Sequence, residues 1–174
     1  MEKCVKLSKL ADIRTGSSNT NQALNEGMYP FYTRAQEVYY KNDYEFDDES
    51  IITAGDGAGV GKSIHYVKGK YALHQRAYRI CPNKDLIIPK YLYYYMKNTF
   101  YNYILSTAVS SSVTSIRRKM LDEYDIPLPS LEEQENTIAK VNFIQDDIFA
   151  LKQQIIKSQE VKQEIINKIF SLIL

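Results

Sequence analysis

The sequence predicts an α+β fold: a compact domain built on a mainly antiparallel, twisted β-sheet with short helices, followed by one long C-terminal α-helix that forms a coiled coil. Three observations predict it. All fifteen tyrosines lie before Ser130, in short runs of β-formers separated by turn residues. Residues 131–174 contain neither Gly nor Pro, and their apolar residues recur at spacings of three and four. Between the two parts stands IPLPSLEEQ, residues 126–134. Pro127 and Pro129 hold that backbone extended. Ser130 and Glu133 have the spacing of a capping box, in which each side chain satisfies an orphan N–H at a helix start. Glu132, Glu133 and Glu135 set negative charge on the positive end of the helix dipole. The boundary is therefore placed here, with residues 1–129 as the globular domain and 130–174 as the helix.

A chain of 174 residues, 44% hydrophobic, with net charge +1, suits one domain with a sizeable core plus an extension. No apolar run reaches the ~18 residues that span a bilayer, and residues 1–13 lack the apolar stretch of a signal peptide. Cys4 and Cys81 are too few and too isolated for a disulfide framework or a zinc site. A cytoplasmic, reduced protein with no membrane partner is expected.

Charge is segregated along the chain. Residues 43–49 (DYEFDDE) carry five acids and no base, whereas residues 50–119 carry eleven Lys and Arg against Asp56 and Asp85 alone. A basic, Tyr-rich domain fits a nucleic-acid surface; the alternative is a solvated face whose acids lie elsewhere in sequence.

In chain order, residues 1–14 open with Val5, Leu7, Leu10 and Ile13 and pass into a polar loop at 15–21. Residues 29–33 and 38–40 are strands. The acidic patch 43–49 is expected as an exposed turn. Residues 50–54 form a buried strand running into the loop GDGAGVGK, residues 55–62. Residues 63–67, 71–73 and 76–81 are short strands, with Lys68-Gly69-Lys70 as a hairpin turn. Pro89 suits the first turn of a helix, along which Leu92, Met96, Phe100 and Tyr103 form one apolar stripe. Tyr91 and Tyr95 share a face of it, and Tyr94 is expected to be exposed. Residues 106–112 are a polar linker, 114–121 a short basic helix and 124–127 a strand.

The glycine loop ends in Gly61-Lys62-Ser63 and invites a nucleotide-binding reading. The phosphate-cradling loop needs a glycine five positions before Gly61 and a helix after it, because its amides wrap one phosphate at a helix start. The first position is Asp56, and residues 63–67 have strand character. What remains is a loop poor in side chains, able to approach a bulky partner closely.

The order of these pieces resembles the target-recognition domain of specificity subunits of type I restriction–modification systems. The resemblance rests on the strand and glycine loop, on LHQRAYRI (73–80), on IPKYLYYYM (88–96), and on residues 111–119 leading to IPLPSLEEQ. It covers roughly residues 3–174. A typical member is similar to two such units in tandem; this chain has one, and so looks like a half-subunit or one half of a longer protein. The resemblance implies no catalytic residue, metal or cofactor here. It implies as partners double-stranded DNA and the methyltransferase and restriction subunits, with S-adenosylmethionine bound by the former.

For such a role, affinity comes from cations meeting phosphates, and Lys62, Arg117, Arg118 and Lys119 are the candidates, with Ser111, Ser112 and Thr114 as neutral donors. Specificity needs side chains that match base edges, Arg to guanine and Gln to adenine, and Arg34, Gln75 and Arg76 are placed for it. The alternative for Arg34, Arg76 and Arg79 is ion pairing with the acids of 43–49. On the long helix Val141, Ile144, Ile148, Leu151 and Ile155 form a coiled-coil seam, resumed by Ile165, Ile169 and Leu172. A lone helix cannot bury that stripe, so a homodimer through the helix is expected, the helix acting as a spacer about 66 Å long. Two other classes of function remain open: a nucleotide-binding enzyme using residues 55–62, and a non-catalytic coiled-coil scaffold.

Overall fold

The computed structural model describes residues 3–107 and 115–171. Its backbone separates into two compact units, residues 1–135 and 136–174. The first begins with strand β1 (Cys4–Lys6), a single turn of helix α1 (Leu7–Leu10) and strand β2 (Ala11–Thr15). Strands β3 (Tyr29–Tyr32), β4 (Val38–Lys41), β5 (Phe46–Ala54), β6 (Ile64–Leu73) and β7 (Ala77–Pro82) follow, then helices α2 (Pro89–Thr107) and α3 (Arg118–Asp122) and strand β8 (Asp125–Pro127). Six strands form one sheet in the order β2-β7-β5-β6-β3-β4, antiparallel except where β3 runs parallel to β6, and β1 pairs with β8 in a separate ribbon. Among the described residues no helix is long and apolar enough to cross a membrane.

The core has two parts: α2 packs on β5, β6 and β7, while Ile52, Val67, Tyr71, Leu73 and Ala77 form a cluster among the strands with Tyr32 and Phe46 against it. Leu92, Met96, Phe100 and Ile104 repeat along one face of α2 and are fully buried, as are Ile51, Ile52, Tyr71, Leu73 and Ile80 of the central strands. Tyr94 is buried too, against expectation: its ring lies 5.5 Å from that of Tyr93 and beneath Lys90 Nζ.

Two further expectations are corrected. The patch 43–49 is not an exposed turn, because β5 begins at Phe46. Strand alternation turns Asp48 inward onto Arg79, and Glu49 accepts from Lys84 and Tyr66, so β7 and the loop after it supply the counter-charges. Lys68-Gly69-Lys70 is not a hairpin turn, because β6 runs straight through it in register with β5. The chain reverses instead across residues 55–63, where Gly57 and Gly61 take the positive φ that a glycine adopts without steric cost.

At the other end of the domain begins helix α4 (Leu131–Ser171). The capping box forms as its spacing predicts: Ser130 N donates to Glu133 Oε2 at 2.8 Å and Glu133 N to Ser130 Oγ at 3.3 Å. Its first turn is also pinned by Gln134, which is fully buried. Gln134 Oε1 accepts from Ile88 N at 2.8 Å, and its Nε2 donates to the carbonyls of Leu86 and Pro129. Gln134→Ala leaves these backbone groups without that partner, and urea denaturation should show a loss of about 1–3 kcal/mol.

Within the second unit, Ile144, Ile148, Leu151, Ile155, Ile165 and Ile169 are each about half exposed, and Val141 is half-buried. Leu172 lies outside the described residues.

Candidate nucleic-acid interface

Backbone hydrogen bonds bring several loops together: His74 N donates to Tyr32 O and Gly55 N to Arg76 O. β3 and β6 run parallel, and β5 runs out towards the same edge at which β7 starts. The loop after β2 joins them through Ser18, whose N–H donates to Leu73 O and whose carbonyl accepts from Gln75 N. Segment 115–117 joins through an isolated bridge from Ser115 to Asp56, with Ile116 N donating to Gly55 O at 2.7 Å. Close backbone approaches make this packing possible. A Cβ on Gly59 would stand 2.2 Å from Arg34 O, so only glycine lets the two loops meet.

Between these loops, Asp56 Oδ1 accepts from Arg34 Nη1 at 2.9 Å and its Oδ2 from Arg76 Nη1 at 3.0 Å. Burial pushes the Asp56 carboxyl up, and the Arg34 and Arg76 donors more than offset it, holding the pKa below the ordinary value. The two guanidiniums are open to solvent, with side chains 40% and 63% exposed. Neither pairs with the acids of 43–49; of the three arginines considered for that, Arg79 alone does, through Asp48. Gln75, also exposed, donates to Asn19 Oδ1 at 2.5 Å, so a second polar pair stands beside the first. A cleft of about 540 Å³ opens next to them, with Thr33, Arg34, Gly59 and Lys62 in its wall. Lys62 Nζ stands 4.9 Å from the centre of the Tyr101 ring.

The remaining candidates divide. Arg117 is exposed just after the Ser115 bridge. Arg118 bends back into the fold, its Nη1 donating to Ile13 O at 2.6 Å and its Nε to Asp122 at 2.8 Å. Lys119 is exposed and pairs loosely with Glu123 at 3.6 Å. Helix α3 begins at Arg118, later than expected, because residues 115–116 are held extended by the glycine loop. Ser111, Ser112 and Thr114 lie outside the described residues. Asp56 and Asn19 were not singled out from sequence as members of this site. Asp56 stood out there only as a break in a phosphate-loop pattern, and nothing in the local sequence shows that loops 34, 56 and 76 converge.

Chemically, the arrangement offers planar forked donors, amides and flexible cations on a surface where glycines keep the backbone accessible. Its one Ser–His contact among the described residues, Ser63 Oγ to His65 Nε2 at 3.1 Å, is buried at Ser63, whose hydroxyl donates to Ala35 O at 3.0 Å. Ser63 leads directly into β6 and not into a helix, so the glycine loop has no helix N-terminus to hold a phosphate.

Residues 2–169 match the family described as the type I restriction modification DNA specificity domain. The chain is 33% identical over 132 residues to the type I restriction enzyme EcoDI specificity subunit of Escherichia coli, covering 76% of this chain and 28% of that protein. It is 30% identical over 118 residues to the putative type I restriction enzyme MjaX specificity subunit of Methanocaldococcus jannaschii, covering 64% and 27%. Its fold is similar to the crystal structure of the type I restriction–modification S subunit from M. genitalium, with TM-score 0.69 at 15% identity over 91% of this chain and 42% of that one. The HsdS subunit from Thermoanaerobacter tengcongensis gives TM-score 0.63 at 20% identity, covering 87% and 39%. The chain spans less than a third of the length of the curated relatives it matches.

Proposed function

The chain belongs to the type I restriction modification DNA specificity family, and from that premise we propose that it is a non-catalytic subunit module that reads one half of a bipartite DNA target. Residues 1–129 are the target-recognition domain and 130–174 the spacer helix. Chemistry on the DNA falls to methyltransferase and restriction subunits that dock on this module. The observation that carries the reading is the convergence of Arg34, Gln75 and Arg76 on one solvent-open cluster of loops, with Lys62 and Arg117 beside them.

Roles follow from chemistry. Lys62, Arg117 and Lys119 meet phosphates, which positions the duplex and carries no sequence information. Arg34, Gln75 and Arg76 present patterned donors to base edges in the major groove. Arg118, tied to Ile13 and Asp122, contributes mainly charge.

This division is tested by fluorescence anisotropy on duplexes of different sequence at two salt concentrations. Arg117→Ala or Lys119→Ala should weaken binding to every duplex by a similar factor and make the salt slope shallower by about one. Gln75→Ala or Arg76→Ala should change which duplex is preferred, at about 1–3 kcal/mol of discrimination each. Unchanged preference in both of the latter variants would remove these residues as readers.

The half-exposed apolar stripe of α4 supports assembly with a second copy. A closed two-fold dimer is the commonest symmetric way to bury such a stripe. Pairing two copies antiparallel through a helix of 41 residues, about 60 Å long, separates the two recognition domains by more than one DNA turn. The two-fold axis makes both domains read the same bases on opposite strands, so the target is an interrupted palindrome.

A further inference from the structure

The arginines that meet Asp48 and Asp56 are held in different ways. Arg79 is 9% exposed and all three of its guanidinium nitrogens are engaged: Nε and Nη2 donate to Asp48 and Nη1 to Asp12. Arg34 and Arg76 are solvent-open, and among the described residues each guanidinium has a single partner, one oxygen of Asp56. Each therefore keeps most of its five donors unused while its direction is fixed. The carboxylate that fixes them is itself rigidly placed. Gly55 N donates to Arg76 O, Gly55 O accepts from Ile116 N, and Gly59 packs against the backbone of Arg34. Three loops that are distant in sequence are thus locked around one carboxylate.

For the stability of the domain alone this arrangement is weak, since exposed ion pairs contribute little. For binding a polyanion it is unfavourable, since a carboxylate at the contact face repels phosphates. For reading bases it is apt. A bidentate arginine–guanine contact needs the guanidinium plane held in place before the duplex arrives, and a rotamer already ordered costs less on binding.

We propose that Asp56 is a positioning residue for base recognition, holding Arg34 and Arg76 so that each reads a guanine in neighbouring base pairs, and that it lowers non-specific affinity in exchange for sequence discrimination. The inference rests on the DNA-specificity reading of the same face. Asp56 touches the readers and not the bases.

The test is selection of duplexes from a randomised pool by the full-length chain, followed by anisotropy on the selected and a scrambled duplex. The wild-type motif should contain guanine. Asp56→Asn keeps size and polarity but removes the charge; it should lower the preference for the selected duplex about tenfold or more and tighten binding to the scrambled one. A merely structural role gives a different result, with both affinities falling by the same factor, and would overturn the proposal, as would an unchanged preference. Thermal melting shows whether Asp56→Asn remains folded. If it does not, Arg76→Lys decides: it keeps the charge and the ion pair but loses the fork, so guanine preference should vanish at one position. Retention of the full wild-type motif by Arg76→Lys would also overturn the proposal. A wild type that selects no motif refutes the DNA-specificity reading itself, and the role of Asp56 with it; a wild type that selects a guanine-free motif refutes only the latter.

Discussion

Ile148→Asp combined with Leu151→Asp should convert the chain from dimer to monomer in multi-angle light scattering, with the melting of the recognition domain unchanged. Both side chains are about half exposed on α4, in the unit that holds residues 136–174, whereas the buried core belongs to residues 1–135. In a two-fold pair the double substitution removes four apolar side chains from the seam. At about 1.5 kcal/mol each, that is about 6 kcal/mol, or roughly four decades in Kd. It also places four carboxylates in a desolvated stripe, where an unpaired charge is costly. A wild type that scatters as a monomer at all concentrations, with no second half-subunit able to restore a pair, would remove the spacer helix from the account.

Arg79→Ala should destabilise the domain by about 3 kcal/mol in urea denaturation. The guanidinium lies 4.9 Å from the centre of the Phe46 ring and bridges Asp48 on β5 to Asp12 on β2. Its removal leaves Asp48, with 21% of its side chain exposed, supported by Ser50 and Tyr71 alone. The effect depends on pH with a defined sign. Burial raises the Asp48 carboxyl, and the donors of Arg79, Ser50 and Tyr71 outweigh it, so the folded pKa lies below the ordinary 3.8. A depressed folded pKa gives stability that is complete above the unfolded value and lost as pH falls through the folded one. The gap between wild type and variant should therefore be full at neutral pH and narrow as pH drops below 3.8.

The features legible in sequence are those set by local chemistry. Ser130 and Glu133 form their box because capping depends on spacing alone. Pro89 opens α2, and the stripe from Leu92 to Phe100 is buried, because helical periodicity is a local signal. The glycine loop is a reversal between antiparallel strands, as the strand character of residues 63–67 implies. What depends on partners distant in sequence was not legible. Residues 46–49 read as a solvated turn because their counter-charges, Arg79 and Lys84, come from more than thirty residues away. Gly69 between two lysines read as a turn, whereas it lies within β6 opposite Asp48. Arg34 and Arg76 are candidates in their own segments, but the carboxylate between them emerges only once three loops are folded together. Gln134 gave no local sign that it would be buried against the start of α2.

If this chain sets the DNA sequence on which its partners act, mapping methylated bases across the genome of a host carrying the chain with its methyltransferase will show it. A methylated interrupted palindrome should be present with the chain and disappear when the chain alone is deleted. An identical methylation pattern with and without the chain would contradict it.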